Sequence, residues 1–348
     1  MSQPIRVVPY TDEWVDAVRA FNKRVAASGQ ELPETPRPGW MPCMELFLAV
    51  EDEVVRGGYI LRHQRYWVKG QETEAAHYRL PLSEGTVNRR YAALGLHLVR
   101  DALKREPRLY CSGMSGWDKP LPLMLRRLGW RMCEVPFHFK VLRPYRFLRN
   151  IRALRSSRLR RAALDLAAFS GMGWFGIRGA RVNPVEHDRP ASFRSWPDAA
   201  WEAARTSAAF LAARDSATLE ALYPASDPRF LRVRTIGGWA VVLDTRMRND
   251  RYFGDMYVGT IVDCLAAPGE AAEVIRAATG ELEARGIDLI ISNQLHREWR
   301  TALDHSGFRT GPSNYLLALS PEFAALAGDA PDHEFHFNRG DGDGPIHL

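Results

Sequence analysis

A run of polar side chains follows an apolar stretch in the second half of the chain. Leu289–Ile291 has the composition of a buried strand, and Ser292-Asn293-Gln294-Leu295-His296 comes directly after it. The carboxyl ends of such strands are where α/β sheets place ligand sites. The pattern predicts Asn293 and Gln294 as substrate contacts and His296 as a catalytic base near neutral pH. Capping of the following helix is the alternative, although it explains one polar residue and not the glutamine and histidine together.

The first half offers a second set of candidate groups. His77 and Tyr78 lie in the strand-like stretch Ala76–Leu82, Glu84 follows it, and Ser112 ends the short strand-like stretch after the next predicted helix. We predict His77 and Glu84 as catalytic residues, and Tyr78 and Ser112 as substrate contacts. Neighbouring residues of a strand point to opposite faces, so at most one of His77 and Tyr78 can face a ligand. Structural packing is the alternative for each residue taken singly.

A basic run opens the helix-patterned stretch between these strands. It comprises Arg89, Arg90, Tyr91, Ala92, Ala93, Leu94 and Gly95. The first amides of a helix have no partner within the helix, and the helix dipole is positive there, which favours phosphate oxygens. We therefore predict that residues 89–95 bind a phosphate group. A solvated helix start with two surface arginines is the alternative.

The same order of elements occurs twice, about 180 residues apart. In the first half a strand, a helix to Lys104, a strand, a helix ending at Gly129-Trp130 and the strand Phe137–Leu142 follow one another. In the second half the corresponding series ends at Gly307-Phe308 and the strand Asn314–Leu319. A period this long indicates a duplicated domain and not a solenoid. We expect each series to close its own sheet.

This order, with a Gly-aromatic pair before the last strand, resembles the GNAT N-acyltransferases. The loop pattern Gln/Arg-x-x-Gly-x-Gly/Ala of that family is matched by Arg90–Gly95, with Ala93 where glycine is commoner. The resemblance implies an α/β fold with a mixed sheet, acetyl-CoA or another acyl-CoA as co-substrate, and pantetheine in a gap between two splayed strands. The tyrosine that serves as general acid in that family is replaced by Leu125 in the first series and by Leu303 in the second. The sequence therefore does not identify the residue that would protonate the leaving thiolate.

The second series lacks the basic loop. Leu265–Glu270 contains no arginine, and Glu270 at the helix start would repel a pyrophosphate. We therefore expect two tandem GNAT-like domains, the second a degenerate copy. This arrangement resembles the Fem-like double-domain acyltransferases and those associated with bacterial exopolysaccharide or capsule assembly.

Composition agrees with two globular domains. The chain has 348 residues, of which 46% are hydrophobic and 25% are charged. It contains no run of 18 uninterrupted apolar residues and no charged-then-apolar leader pattern. Its four cysteines are scattered without a Cys-x-x-Cys pair, which indicates reduced thiols and no metal site. We expect a cytoplasmic protein.

A basic segment separates the two series. Between Arg143 and Arg161 there are eight arginines and no acidic residue, and apolar residues recur at helical spacing. We expect peripheral contact with an anionic membrane face, with Trp174 and Phe175 as interfacial anchors. A linker helix packed on the domains is the alternative, and nucleic acid is a less favoured partner. The predicted organisation is a domain at 1–142, a linker at 143–190, a domain at 191–330 and a tail at 331–348.

The tail alternates aspartate with glycine at Asp341 and Asp343. A turn whose carboxylates bond their own backbone is favoured over a calcium loop, because no bidentate glutamate follows. A third interpretation places these carboxylates in a cleft as acceptor contacts.

The sequence as a whole predicts an N-acyltransferase that moves an acyl group, acetyl by resemblance, from CoA to an amine, with an amino sugar of a surface polysaccharide as the implied acceptor. A Fem-like transferase that uses aminoacyl-tRNA and a non-catalytic acyl-CoA or ligand-binding protein are the alternatives from other classes.

Overall fold

The computed structural model describes residues 4–34, 43–154, 158–169, 179, 183 and 185–342. The chain forms two compact units, neither of which is continuous in sequence. The first consists of Met1–Tyr66, Gln71–Cys133 and Leu316–Gly328. The second consists of Trp67–Gly70, Glu134–Tyr315 and Asp329–Leu348.

The described strands follow one another from β1 to β15. Their bounds are β1 Arg6–Pro9, β2 Met44–Glu51, β3 Val54–Val68, β4 Gln71–Ser83, β5 Leu109–Gly113, β6 Arg131–Glu134, β7 Phe137–Val141, β8 Phe210–Ala212, β9 Leu231–Arg234, β10 Gly238–Arg246, β11 Tyr257–Ala266, β12 Leu289–Asn293, β13 Arg309–Gly311, β14 Leu316–Leu319 and β15 Phe335–His336.

The described helices are numbered in the same way. Their bounds are α1 Val15–Val25, α2 Leu94–Arg105, α3 Pro120–Arg127, α4 Pro144–Asn150, α5 Arg158–Phe169, α6 Asp198–Ala204, α7 Ser216–Leu222, α8 Ala271–Ala284, α9 Arg297–His305 and α10 Pro321–Ala327. Short 3₁₀ turns lie at Glu84–Thr86, Arg89–Tyr91 and Arg339–Asp341.

The sheet of the first unit has the strand order β1-β2-β3-β4-β5-β14-β6. Helix α2 packs on it through Leu94, Leu98, Val99 and Ala102, which share one helical face and are all buried. These side chains meet alternate residues of β4 and β5, among them Ala76 and Cys111. The packing fixes α2 directly behind the parallel pair β4–β5.

The sheet of the second unit has the order β13-β7-β12-β11-β10-β9. Strands β11 and β12 are parallel, and the others pair antiparallel. Helix α8 buries Val274, Ile275, Ala278 and Leu282 against this sheet. The mixed α/β architecture expected from the sequence is confirmed.

Two strands pair outside the series that we expected them to close. Strand β7 does not close the first sheet, because it lies antiparallel to β12 in the second, with Lys140 opposite Ile290. Strand β14 does not close the second sheet, because it lies antiparallel to β5 in the first, with Ala318 opposite Cys111. Each sheet is therefore completed by a strand from the other half of the sequence. An apolar strand fits any buried sheet position, so composition alone cannot identify its partner.

The pattern of Asp198–Ala213 predicts one helix, and this prediction is wrong in its second half. Helix α6 ends at Ala204, and β8 follows as a strand that pairs parallel with β15. Phe210 lies opposite Phe335, and their rings stack with centroids 4.9 Å apart. This aromatic pair explains why an extended conformation wins over helix propensity there.

The basic segment contains α4 and α5, as its apolar periodicity predicts. Leu159 and Leu166 of α5 are 85% and 68% exposed. The expected anchors Trp174 and Phe175, the proline-rich residues 35–42 and Asp343 lie outside the described residues. Within the described part of the chain, no helix combines the length and apolar character needed to cross a membrane.

Candidate functional site

The parallel strands β4 and β5 diverge at their carboxyl ends. Among the described residues their register covers Ala76 opposite Leu109 and His77 opposite Tyr110, while β4 continues to Ser83. Leu80 in this continuation has a φ of +45°, which is an outlier for a bulky side chain. Such backbone strain inside a strand concentrates at bulges and functional sites. The divergence opens a gap in the sheet of the first unit.

His77 and Ser112 lie together where the strands begin to diverge. The Nε2 atom of His77 is 3.0 Å from the Oγ atom of Ser112, and both residues are buried. The His77 ring stacks on the Tyr110 ring, with centroids 4.6 Å apart and an angle of 4° between the planes. The two predicted residues therefore form a hydrogen-bonded pair of fixed orientation.

Two side chains of β3 complete this polar group. Arg62 donates to the hydroxyl of Tyr110 at 2.9 Å, and that hydroxyl donates to Gln64 Oε1 at 2.8 Å. Residues two apart in a strand share a face, which places Arg62 and Gln64 on the same side of the sheet. All three are buried. They hold Tyr110, and through it the His77 ring.

The surroundings keep the His77 imidazole neutral. Burial, with the positive charges of Arg62 and Arg79, lowers the pKa of His77 well below its ordinary value of 6.5. Its Nδ1 atom has no hydrogen-bond partner in the described part of the structure. A neutral ring can accept a proton at Nε2, either directly or from the Ser112 hydroxyl.

Tyr78 points to the opposite face of β4. Its ring packs 5.3 Å from the Tyr59 ring within the core beneath α2. Burial raises the pKa of the Tyr78 hydroxyl well above 10, and this hydroxyl has no hydrogen-bond partner among the described residues. The structure thus separates Tyr78 from the His77–Ser112 pair.

Glu84 lies at the end of β4 within a cluster of arginines. Its carboxylate is 3.3 Å from both Arg24 and Arg56. Arg56 also bonds Glu51, at 3.2 Å. These ion pairs stabilise the turn that follows β4. They account for the buried carboxylate of Glu84 by a structural role.

The predicted phosphate-binding run begins in the 3₁₀ turn Arg89–Tyr91 and ends in the first turn of α2. Arg89 is exposed, and Arg90 bonds Glu51 at 3.1 Å with 61% of its side chain exposed. Ala93 at the N-cap makes no side-chain hydrogen bond, so it does not satisfy the first amides of the helix. A Cβ built on Gly95 would meet no atom within 4 Å among the described residues. The start of α2 therefore has room for an anion, whereas the amides of Arg90, Tyr91 and Ala92 in the preceding turn already donate hydrogen bonds within it.

Asn293 and Gln294 lie at the end of β12 in the second unit and are buried. The Asn293 amide donates to the carbonyl oxygens of Val135 and Pro136, both at 3.4 Å. The Gln294 amide donates to Ser292 Oγ at 3.2 Å and to Cys264 Sγ at 3.4 Å. Internal hydrogen bonds thus occupy the side chains predicted to contact substrate.

His296 lines a small cavity beside this cluster. Its ring centroid lies 6.4 Å from that of His336, and Ser207, Glu298 and Trp299 line the same space. The cavity of about 10 Å³ has room for roughly one water molecule. Burial lowers the pKa of both histidines to about 4. Among the described residues no group of three or more histidine, cysteine, aspartate or glutamate side chains is arranged to hold a metal ion.

Sequence reasoning missed Arg62, Gln64, Tyr110 and the strained Leu80. The sequence carries little signal for the two β3 residues, because Arg62 and Gln64 belong to the continuous polar run Arg62–Arg65, in which no alternation marks them as buried. Leu125, which stands where the resembled family has its general-acid tyrosine, is fully buried in the core of the first unit. No general acid is therefore supplied from that position.

Comparison with known proteins identifies the fold. No protein-family model and no curated protein matches the sequence. A conserved Enterococcus faecalis protein, described as a probable N-acyltransferase, matches with a TM-score of 0.55 and 12% identity over 94% of this chain and 74% of its own. Saccharomyces cerevisiae N-myristoyltransferase with bound myristoyl-CoA matches with a TM-score of 0.54 and 8% identity over 92% of this chain and 84% of its own.

A GCN5-related N-acetyltransferase from Kribbella flavida matches with a TM-score of 0.53 and 15% identity over 91% of this chain and 71% of its own. At these identities the likeness concerns the fold. The chain itself contains two mixed sheets, each with one parallel strand pair among the described residues. The chain has the GNAT-type fold of these N-acyltransferases.

Proposed function

We propose that this protein is an N-acyltransferase that moves an acetyl group from acetyl-CoA to an amine. The observation that carries the proposal is the His77–Ser112 pair at the divergence of β4 and β5. The gap would hold the pantetheine arm of acyl-CoA, and the pair would take the proton that the attacking amine loses. The structural neighbours include a protein with bound myristoyl-CoA, which supports a CoA thioester as co-substrate.

The chain supplies a base for the reaction. The amine nitrogen attacks the thioester carbonyl carbon, the C–N bond forms, and the C–S bond breaks. His77 Nε2 accepts the proton that the amine loses, directly or through the Ser112 hydroxyl. CoA leaves as a thiolate that takes up a proton from solvent, and His77 releases its proton to solvent, so atoms and charge balance over the cycle. Tyr110, Arg62 and Gln64 are positioning residues because they fix the His77 ring.

The start of α2 is the proposed pyrophosphate site. Arg89 and the amides at the start of α2 would contact phosphate oxygens, and Gly95 leaves room for their approach. Arg90 would add positive charge while remaining paired with Glu51. We propose that the second unit is a degenerate copy without such a site, since Glu270 lies at the N-cap of α8.

The proposed acceptor is an amino sugar of a surface polysaccharide. This part rests on the resemblance of the sequence to acyltransferases of exopolysaccharide and capsule assembly. The proposed acceptor contacts in the second unit are Asn293, Gln294 and His296. To bind the acceptor, Asn293 and Gln294 would have to give up their present internal hydrogen bonds.

A thiol-release assay tests the proposal. We expect acetyl-CoA to release free thiol faster when glucosamine-type acceptors are added, and His77→Ala to lower kcat by about 10²–10⁴-fold. His63→Gln is the matched control, because His63 lies on β3 and its side chain bonds the exposed Glu45. Failure of acetyl-CoA and longer acyl-CoAs to stabilise the fold at a hundredfold excess over Kd, where about 2.7 kcal/mol is expected, would refute it. Transfer from aminoacyl-tRNA would then favour the Fem-like alternative.

We further propose a cytoplasmic location with contact between the basic segment and an anionic membrane face. The exposed Leu159 and Leu166 of α5 are seven residues apart and so lie on one helical face. Each basic residue near such a surface adds about 1 kcal/mol of binding free energy. Co-sedimentation with phosphatidylglycerol vesicles should exceed that with neutral vesicles and fall at high salt. Equal partitioning into both would remove this part of the proposal.

A further inference from the structure

The second unit also contains a parallel strand pair that diverges. The register of β11 with β12 runs from Val258 opposite Leu289 to Ile261 opposite Ser292. Strand β11 then continues to Ala266. This gap occupies the same place in the order of elements as the gap between β4 and β5. The two gaps differ in what occupies them.

The chain's own segment Phe335–Asp341 spans the gap of the second unit. On one side, the Leu295 amide donates to the Phe337 carbonyl at 3.0 Å, and Arg339 donates to Asn293 Oδ1 at 3.2 Å. On the other side, the Asn338 amide group donates to Asp263 Oδ1 of β11 at 3.0 Å. The segment thus bonds both the chain beyond β12 and the part of β11 that lies past its register with β12.

Buried ion pairs bind the segment to the rest of the second unit. Arg214 bonds Asp263 at 2.8 Å and Asp341 at 2.5 Å, and the side chains of all three are fully buried. The Tyr223 hydroxyl donates to Asp263 at 2.7 Å. Departure of the segment would take away Asp341 and expose this group to water. Removal of one member of a buried ionic group is strongly unfavourable.

The turn of the segment fits without spare space. The Asn338 side chain accepts from the Gly340 amide, and the Asp341 carboxylate accepts from the Asn338 amide, so the turn caps itself. A Cβ on Gly340 would lie 2.5 Å from the Tyr223 hydroxyl and 2.6 Å from the Asp263 carboxylate. Glycine is required here because the segment approaches its site so closely.

We propose that the gap between β11 and β12 is a peptide-binding site whose resident ligand is the chain's own segment Phe335–Asp341. The segment closes the gap to the pantetheine arm of acyl-CoA. Each chain therefore binds one acyl-CoA, in the first unit; this stoichiometry rests on the proposed function, whereas the closure of the gap does not.

Hydrogen exchange on the full chain tests the closure directly. In the unaltered protein, the Leu295 amide and the amides of residues 338–342 should exchange slowly. Gly340→Val inserts atoms where none fit, and we expect about tenfold or greater acceleration at these amides. Gly280→Val is the control, because a Cβ at Gly280 meets no described atom within 4 Å, and it should leave them unchanged.

A second variant covers the case in which Gly340→Val fails to fold. Asn338→Ala adds no volume but removes the bond to Asp263 and the cap of the turn, and it should accelerate the same amides. Fast exchange at residues 338–342 in the unaltered protein would overturn the proposal, as would two acyl-CoA molecules per chain by calorimetry. Slow exchange without any acyl-CoA binding would support the closure and count against the proposed function alone.

Discussion

The Tyr91 hydroxyl donates to the Glu51 carboxylate at 2.5 Å. This bond joins the turn before α2 to the end of β2, and together with Arg90 it lowers the pKa of Glu51. The predicted phosphate-binding run is therefore anchored by a carboxylate, while Arg89 is exposed and Ala93 at the N-cap of α2 accepts no side-chain hydrogen bond from the first amides of the helix.

Charge reversal at Arg90 should abolish acyl-CoA binding and leave the fold intact. Arg90→Glu places a second carboxylate beside Glu51 at the proposed pyrophosphate site. The Arg90 side chain is 61% exposed, although Glu51 is buried, and a substitution at an exposed position usually costs little stability. Calorimetry with acetyl-CoA measures the loss, and circular dichroism checks the fold. Arg100→Glu, an exposed change later on α2, is the charge-matched control; equal binding by Arg90→Glu and the parent would show that the site is elsewhere.

The pH profile of activity should lack the limb that an ordinary histidine base produces. A histidine with a pKa of about 6.5 is half protonated at that pH, but burial and the nearby arginines hold the pKa of His77 well below it. We expect kcat/KM, divided by the neutral fraction of the acceptor amine, to stay flat down through pH 6.5. A midpoint near 6.5 would exclude His77 as the base.

Removal of Arg214 should destabilise the protein strongly. Arg214→Met leaves Asp263 and Asp341 buried without their shared cation, and the expected loss is about 3–5 kcal/mol in the free energy of unfolding. Urea denaturation measures it. Arg229→Met is the comparison, since the Arg229–Asp227 pair lies at the surface and should cost about 1 kcal/mol or less. Similar losses in the two variants would contradict the importance of the buried group.

Stability should fall as the pH is lowered from about 6.5 to about 4. Burial lowers the pKa of His138, His296 and His336 to about 4, so in this window the unfolded chain binds protons that the folded chain does not. Each histidine then costs up to about 1.4 kcal/mol per pH unit. His336→Asn should flatten the dependence measured by urea unfolding at pH 7 and pH 5, and the exposed His333→Asn should not. An unchanged slope in His336→Asn would show that folding does not lower the pKa of His336.

The sequence predicted the local elements of the site well. The periodicity of β4, α2 and β5 placed His77 and Ser112 on neighbouring strands, and the alternation rule separated His77 from Tyr78, as the structure does. Their mutual hydrogen bond could not be predicted, because it depends on the register of two strands joined through a helix. Arg62 was missed for a similar reason, since its burial depends on partners far away in the chain.

Strand pairing was the hardest feature to infer. The apolar stretches that became β7 and β14 were recognised as strands, but each was assigned to the wrong sheet. The local sequence specifies which side chains of a strand face the core. The neighbouring strand is selected by competition among all the unpaired strand edges in the folding chain.

The placement of β14 has a consequence for synthesis of the protein on the ribosome. Domains near the amino terminus generally fold first, while the rest of the chain is still being made. Here β14 lies between β5 and β6 in the first sheet, and in the sequence it follows the whole stretch Glu134–Tyr315 of the second unit. Until Leu316–Leu319 emerges, β5 and β6 have open edges that invite pairing with other nascent chains. Native assembly of the amino-terminal sheet must therefore be a late event, and this stage of biosynthesis is where chaperone protection would matter most.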